Sequence, residues 1–194
     1  MELYRFGFKV FAAAAPGAEG LDPLALIPVF HRWVQHQALA DLLIDVADYS
    51  HMNAGPGILL VAHEGNYGYD ETGNRWGLVY YNKRPLAGEL GKKLATVCRK
   101  LLTACHKLEQ EPELQGRLKF RGDELQFFAN DRLLAPNSEQ TFSNLKPTFE
   151  ALLDTLYSGQ VYDLVRESDP GERFSVTATV AESVSVGTLL ERLS

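Results

Sequence analysis

The sequence predicts an α+β fold: a single domain over residues 1–194, mainly antiparallel sheet, with two long amphipathic helices and shorter helices packed on one face. Short segments separated by turns predict antiparallel strands, because such strands need only short connections. Two long segments instead place apolar residues at helical spacing. A chain of 194 residues with 45% apolar and 23% charged residues has the size and composition of one globular domain.

The N-terminal half is predicted to hold four strands and one helix. Apolar and polar residues alternate from Tyr4 to Val10, which predicts a half-buried strand over residues 3–11. Pro28 suits the first turn of a helix. Three further strands are expected at residues 42–49, 58–63 and 76–83. A turn at residues 53–57 precedes the second of these strands, and a turn at residues 70–74 joins the last two into a hairpin.

The two long helices are predicted at residues 87–109 and 138–157. Pro147 should kink or split the second helix, because proline lacks the backbone donor that an inner turn needs. Asn137 with Gln140 resembles a capping box at its start. Five basic residues are expected to form a solvated outer face on the first helix: Lys92, Lys93, Arg99, Lys100 and Lys107.

The remaining segments are short strands and a closing helix. Strands are expected at residues 117–121, 124–129, 160–166 and 173–180, and a short helix at residues 186–193. Gly122 and Asp123 are expected to form the turn of a hairpin between the first two of these strands. This order repeats a helix followed by two strands about three times, without any repeat of sequence.

Charge and cysteine usage narrow the classes of function. The net charge of −6 makes nucleic acid an unlikely partner, and the longest apolar runs are too short to cross a membrane. Cys98 and Cys105 lie two helical turns apart, about 10 Å along the axis, which is too far for a disulfide. We therefore expect two buried free thiols and a cytoplasmic protein.

Several common catalytic motifs are missing from the sequence. It contains no phosphate-binding loop, no complete dinucleotide fingerprint and no nucleophile elbow. His63 and Glu64 begin like a zinc-protease motif, but Tyr67 stands where the second histidine would be. These absences disfavour the common nucleotide-dependent, lipase-like and metalloprotease classes, and they identify no cofactor.

The most informative cluster of polar residues lies in the strands of residues 42–83. Ionisable groups and tyrosines occur together there, as a ligand pocket requires. The ligand-binding candidates are Asp48, His51, Glu64, Tyr67, Tyr69 and Lys83. The catalytic candidates are Asp45, His63 and Tyr81. A metal site built from two histidines and a carboxylate of this cluster is a weaker alternative.

A particular strand register would bring the catalytic candidates together. If Tyr69 pairs with Arg75, His63 lies opposite Tyr81. If Tyr49 pairs with Leu59, Asp45 lies opposite His63. The three side chains would then form one row across three adjacent strands, with the carboxylate orienting the imidazole for acid–base work.

Two functions follow from this cluster. The first is a small-molecule or protein-binding module that uses the polar, tyrosine-rich face of residues 42–83, with homodimerisation as one use of that face. The alternative is an enzyme with acid–base or metal-assisted chemistry centred on His63 with Asp45 or Glu64.

Overall fold

A computed structural model describes residues 2–13, 21–52, 55–114 and 116–194 of the chain. The strands are β1 Phe6–Ala12, β2 Leu43–Tyr49, β3 Gly57–Ala62, β4 Gly65–Asp70, β5 Gly77–Asn82, β6 Phe120–Ala129, β7 Tyr162–Arg166 and β8 Ser175–Val180. The helices are α1 Leu26–His36, α2 Leu90–Glu109, α3 Glu139–Tyr157 and α4 Val186–Arg192. The first part of the turn predicted at residues 53–57 lies outside the described residues.

The eight strands form one sheet in the order β2-β3-β4-β5-β1-β6-β8-β7, and every neighbouring pair that it contains is antiparallel. One face of this sheet and all four helices share a single apolar core. Helix α2 lies over the centre, on β1 and β5. The predicted α+β class is therefore confirmed. Every helix among the described residues falls short of the length and apolarity that a membrane span requires.

The two long helices follow their apolar spacing. Helix α2 buries Leu94, Val97, Cys98, Leu101, Leu102, Ala104, Cys105 and Leu108 against the sheet and its neighbouring helices. Helix α3 continues past Pro147, so of the two predicted effects, a kink or a split, the split does not occur. Its N-cap is Ser138, whose side chain accepts from the Thr141 amide, and the Asn137 side chain instead donates to the Asp169 carbonyl at 2.7 Å.

The first predicted hairpin contains an additional strand. The chain turns at His63 and Glu64, and β4 returns between β3 and β5. Strand β4 was not expected, because glycine disfavours strands and two of its six residues are Gly65 and Gly68. Gly65 is required there, since a side chain at this position would lie 2.5 Å from the Tyr81 carbonyl oxygen.

The second predicted hairpin is a single strand. Strand β6 runs unbroken from Phe120 to Ala129, and Gly122 with Asp123 lies at an irregularity in its pairing with β1. A side chain at Gly122 would lie 1.5 Å from the Val184 carbonyl oxygen, so this glycine serves close backbone packing. Glycine within a strand often marks such an approach or a bulge, and here it was mistaken for a turn.

Strand β1 is buried on both faces, although alternation predicted one wet face. We call the side of the sheet that faces away from the helices the open face. Lys9 lies on this face and is 0% exposed. Its ammonium donates to Asp70 Oδ1 at 2.6 Å, to the Arg75 carbonyl at 2.7 Å and to the Thr72 carbonyl at 3.2 Å. The Lys9 ammonium therefore reaches the turn after β4, where a carboxylate and two carbonyls bind it.

Candidate functional site

The predicted row of Asp45, His63 and Tyr81 does not form. Asp45 pairs with Val61, Tyr81 pairs with Asn66, and His63 lies in the turn between β3 and β4. The assumed register was wrong, because Tyr49 pairs with Gly57 rather than with Leu59, and because β4 lies between β3 and β5. Asp45 and Tyr81 do share the open face, but two strands separate them, which corresponds to about 14 Å.

His63 and Glu64 do contact each other within their turn. His63 Nδ1 lies 2.9 Å from Glu64 Oε1, and both side chains are more than two-fifths exposed. The His63 amide donates to the Leu42 carbonyl at 2.9 Å, which ties the turn to the start of β2. The pair is therefore a solvated contact at the end of the sheet rather than the centre of a polar row.

The other predicted ligand-binding residues are spread over three places. Asp48 and His51 are exposed near the β2–β3 connection, where the Asp48 carboxylate accepts from the amide and the hydroxyl of Ser50. These bonds lower the pKa of Asp48. Lys83 lies in a cleft beyond the end of β5, beside the loop of residues 130–133. Tyr67 and Tyr69 point to the helix face, opposite to Tyr81.

Tyr67 belongs to a buried polar cluster beneath α2. Its hydroxyl donates to Asp41 Oδ2 at 2.9 Å, and the Lys100 ammonium donates to the other oxygen of the same carboxylate. Lys100 also donates to the Tyr80 hydroxyl at 3.2 Å. Lys100 was expected to lie on a solvated helix face, and this expectation is wrong for Lys100. Its side chain reaches inward from the edge of α2 and binds Asp41. Burial raises the pKa of Tyr67 and of Tyr80 far above the ordinary value.

The open face carries a groove that we call the open-face groove, with a volume of about 250 Å³. Leu59 and Val79 form part of its floor, and Asp70, Tyr81, Phe128 and Arg173 are among its walls. A second hollow of about 250 Å³ also includes Thr72 and Arg173, so the two adjoin at these residues. Loop side chains therefore divide this face into small polar hollows.

Arg173 is the most unusual charge in the groove. Its guanidinium lies 4.0 Å from the centre of the Phe128 ring and donates to Asn130 Oδ1 at a long 3.4 Å. It makes no ion pair with any carboxylate of the described residues, and burial lowers its pKa even though the charge of Asp70 acts in the opposite direction. Arg173 is therefore a partly buried cation that lacks a direct counter-charge within the described chain.

Tyr81 adds a polar group to the groove that Arg173 lines, and Asn66 contacts Tyr81. Asn66 Nδ2 donates to the Tyr81 hydroxyl at 2.8 Å, which leaves the hydroxyl hydrogen available to another acceptor. Asn66 Oδ1 is buried and has no hydrogen-bond partner among the described residues. The close packing of this corner depends on Gly7, since a side chain there would lie 2.6 Å from the Phe128 ring.

Sequence reasoning found Tyr81 but missed Arg173 and gave no role to Asn66. Arg173 starts a predicted strand far along the chain, and it reaches the groove only because β8 lies two strands from β1. No local pattern marks such a residue. Asn130, which follows β6, also lines the groove.

Among the described residues, no three histidine, cysteine, aspartate or glutamate side chains lie close enough together to hold a metal ion. Comparisons with protein-family models, with curated proteins and with solved structures find no match to the chain. The function is therefore inferred from the residues of the open-face groove.

Proposed function

We propose that the protein is a binding module that takes a small oxyanion, a carboxylate or a phosphate group, into the open-face groove. The observation that carries this proposal is Arg173, whose guanidinium is partly buried without a carboxylate partner among the described residues. A desolvated cation costs free energy unless an anion pairs with it. An anionic ligand would supply that pair.

The neighbouring cations differ from Arg173, because each of them has a carboxylate partner. Lys9 is neutralised by Asp70, and Arg75 is neutralised by Glu124 through bonds of 2.6 and 2.5 Å. Arg173 has no such ion pair among the described residues, although the charges of Asp70 and Glu172 act on it from a distance. A planar guanidinium suits carboxylate and phosphate, because it can donate two parallel hydrogen bonds to either group.

The other groups and the size of the groove define the ligand further. The Tyr81 hydroxyl has a hydrogen to donate, and the Asn130 side chain lies on the same wall. A volume of about 250 Å³ corresponds to about eight water molecules at ~30 Å³ each. The groove therefore suits a metabolite of a few carbon atoms or inorganic phosphate, rather than a nucleotide.

Titration of the protein with inorganic phosphate and, separately, with malonate tests this proposal and distinguishes the two sources of oxyanion. Arg173→Gln should weaken binding of the preferred anion at least tenfold, because it removes a charge-assisted contact worth about 1.5–3 kcal/mol. Tyr81→Phe should weaken it by a smaller factor. Arg84→Gln, which changes an exposed arginine elsewhere, should have no effect. Absence of binding to both anions at millimolar concentration would refute the proposal.

A second candidate function is acid–base catalysis by His63 together with Glu64, without Asp45 or Tyr81. The 2.9 Å contact between His63 and Glu64 favours it, since a carboxylate can orient an imidazole. Hydrolysis of p-nitrophenyl acetate and p-nitrophenyl phosphate provides the assay. His63→Ala and Glu64→Gln should both abolish any turnover while leaving the melting temperature unchanged, and turnover that survives His63→Ala would eliminate this candidate.

The edge strand β2, which belongs to the polar segment of residues 42–83, is suited to pairing with a second copy of the chain. Among the described residues, strand β2 has a neighbour on one side only, and Leu42 and Ile44 are more than half exposed there. Antiparallel pairing of two β2 edges would bury these side chains and extend the sheet. Sedimentation across a hundredfold concentration range should reveal a dimer that Ile44→Lys disrupts, and a strictly monomeric wild-type profile would contradict dimerisation.

We also assign the protein to the cytoplasm. Cys98 and Cys105 are buried free thiols on α2, a use of cysteine that suits a reducing compartment. Localisation of the tagged full chain by microscopy or cell fractionation tests this assignment, and recovery outside the cytoplasm would contradict it.

A further inference from the structure

A second cavity, which we call the end cavity, lies where β1 ends and where β5 and β6 begin. Its volume is about 630 Å³, within the range of about 300–1,000 Å³ that small-molecule sites occupy. Its walls include Phe11, Tyr69, Arg75, Trp76, Arg117 and Leu118. It is more than twice the size of the open-face groove, and its lining is mainly aromatic and aliphatic.

Trp76 forms a fixed aromatic wall of the end cavity. Its ring stacks on Tyr69 with centroids 5.2 Å apart and planes 18° apart. Tyr69 is almost completely buried, whereas Trp76 is only partly buried, so Tyr69 supports the indole from the protein side. The Ala12 amide donates to the Trp76 carbonyl at 2.8 Å and holds the backbone. A side chain held in this way offers a flat surface to a ligand without losing much further conformational entropy.

Four charged residues line the end cavity among the described residues: Asp22, Arg75, Arg117 and Arg121. The Asp22 carboxylate accepts from the Leu24 amide at 3.0 Å, and carboxylates neutralise two of the three arginines. Glu124 binds the Arg75 guanidinium through two bonds, and Asp123 binds that of Arg121 at 3.0 and 2.7 Å. Arg117 differs from both, because its Nε donates to the Leu114 carbonyl at 3.3 Å and its terminal amino groups have no partner among the described residues. The Arg117 guanidinium at the rim of the cavity can therefore pair with one negative charge of a ligand.

Tyr69 adds a neutral donor to the cavity wall. Burial raises the pKa of Tyr69 to about 12, so its hydroxyl keeps its proton at neutral pH. The hydroxyl has no hydrogen-bond partner among the described residues. It supplies a polar contact that adds no charge.

We propose that the end cavity is a second binding site, independent of the open-face groove, for a planar aromatic molecule with one carboxylate. The aromatic ring stacks on Trp76 and the carboxylate pairs with Arg117. A multiply charged ligand fits less well, because Glu124 and Asp123 already neutralise the other two arginines. A neutral aromatic ligand can stack on the indole but leaves the Arg117 guanidinium unused.

Calorimetric titration with 2-naphthoate and with its neutral analogue 2-naphthamide tests this assignment. We expect one naphthoate per chain, bound at least tenfold more tightly than the amide, because the amide lacks the charge-assisted bond to Arg117. Arg117→Gln should remove this preference while leaving amide binding unchanged. Trp76→Leu should weaken both ligands about tenfold, which corresponds to the ~1.4 kcal/mol within reach of an aromatic stack.

Three further variants test whether binding occurs in the end cavity. Arg84→Gln changes an exposed arginine elsewhere and should leave both affinities unchanged, and so should Arg173→Gln in the open-face groove. Trp76→Phe retains an aromatic ring and should preserve part of the affinity, which keeps the test valid if Trp76→Leu fails to fold. The proposal is overturned if naphthoate does not bind at millimolar concentration, if the amide binds equally well, or if binding is indifferent to a folded variant at Trp76.

Discussion

Lys100 shows how a single long side chain can change the role of its helix face. Its side chain is 22% exposed, and the carboxylate that it binds, Asp41, is 2% exposed. Lysine can lie along apolar surface with its aliphatic part and place its charge several ångströms away. The position of Lys100 on α2 therefore does not decide whether its ammonium meets water or a buried carboxylate.

Replacement of Lys100 by Met should destabilise the protein substantially. The change removes the ammonium that pairs with the buried Asp41 carboxylate, and an uncompensated buried charge of this kind costs about 3–5 kcal/mol. Urea unfolding measures the free energy of unfolding. Lys92→Met on the exposed side of the same helix is the matched control and should change it by about 0.5 kcal/mol or less. Equal losses in the two variants would show that the buried pair has no special role.

At the scale of the element, α3 illustrates a helix held together by packing rather than by propensity. Pro147 lies in its interior and is exposed, while Leu145 and Phe149 on either side of it are buried in the core. Tertiary packing of an apolar stripe can outweigh a missing backbone donor, because most helix stability in proteins comes from such packing. The helix therefore continues through Pro147, where the sequence predicted a kink or a split.

Pro147→Ala should stabilise the protein by about 1–3 kcal/mol, because alanine restores the backbone donor and proline costs about 3 kcal/mol more than alanine inside a helix. Part of this gain is lost, since the unfolded chain becomes more flexible without proline. The measurement is the free energy of unfolding in urea. Ser143→Ala on the exposed side of the preceding turn should change it by about 0.5 kcal/mol or less. A variant Pro147→Ala that is less stable than the wild type would contradict this account.

At the scale of the whole molecule, the chain forms two halves of similar element order. Each half begins with a central strand, β1 or β6, and continues with a helix, antiparallel strands and a second helix. The two central strands are antiparallel neighbours, so the halves join in one sheet. The expected threefold repetition of a helix with two strands is wrong, because the unexpected strand β4 and the unbroken strand β6 change the count.

The stability of the whole molecule should fall above pH 9 because its thiols are buried. Burial raises the pKa of Cys98 to about 12 and that of Cys105 well above its ordinary value of 9.0. The unfolded chain therefore releases these protons at lower pH than the folded chain does, and stability decreases as pH rises from the unfolded pKa toward the folded one. Each thiol should contribute a slope of about 1.4 kcal/mol per pH unit in this range.

The free energy of unfolding between pH 8 and pH 10 checks this expectation. The double variant Cys98→Ala/Cys105→Ala should lose stability at all pH values through the cavities it creates. Its dependence on pH, however, should be flatter than that of the wild type. Since the lysines and tyrosines are the same in both proteins, the difference between the slopes isolates the thiols. Parallel slopes would mean that neither thiol changes its pKa on folding.

Local sequence patterns determined the elements that carry strong periodicity. The apolar spacing of α2 and α3 identified both long helices nearly to their ends, since the period of 3.6 residues recurs over many turns. The antiparallel α+β class followed from short strands and short connections. Glycine limited the same approach, because Gly122 was taken as a turn although it lies within β6, and because the glycine-containing strand β4 was not predicted.

Only the tertiary structure decided which side chains meet. The sequence by itself placed Asp45 and Tyr81 on polar strands, but a register shift and the inserted β4 separated them from His63. Tyr81 instead lies in one groove with Arg173, which is more than ninety positions away along the chain. Apolar periodicity identifies which face of a segment is buried, but it does not identify the element that packs against that face. The neighbour itself is set by strand order and register, which depend on packing across the whole sheet.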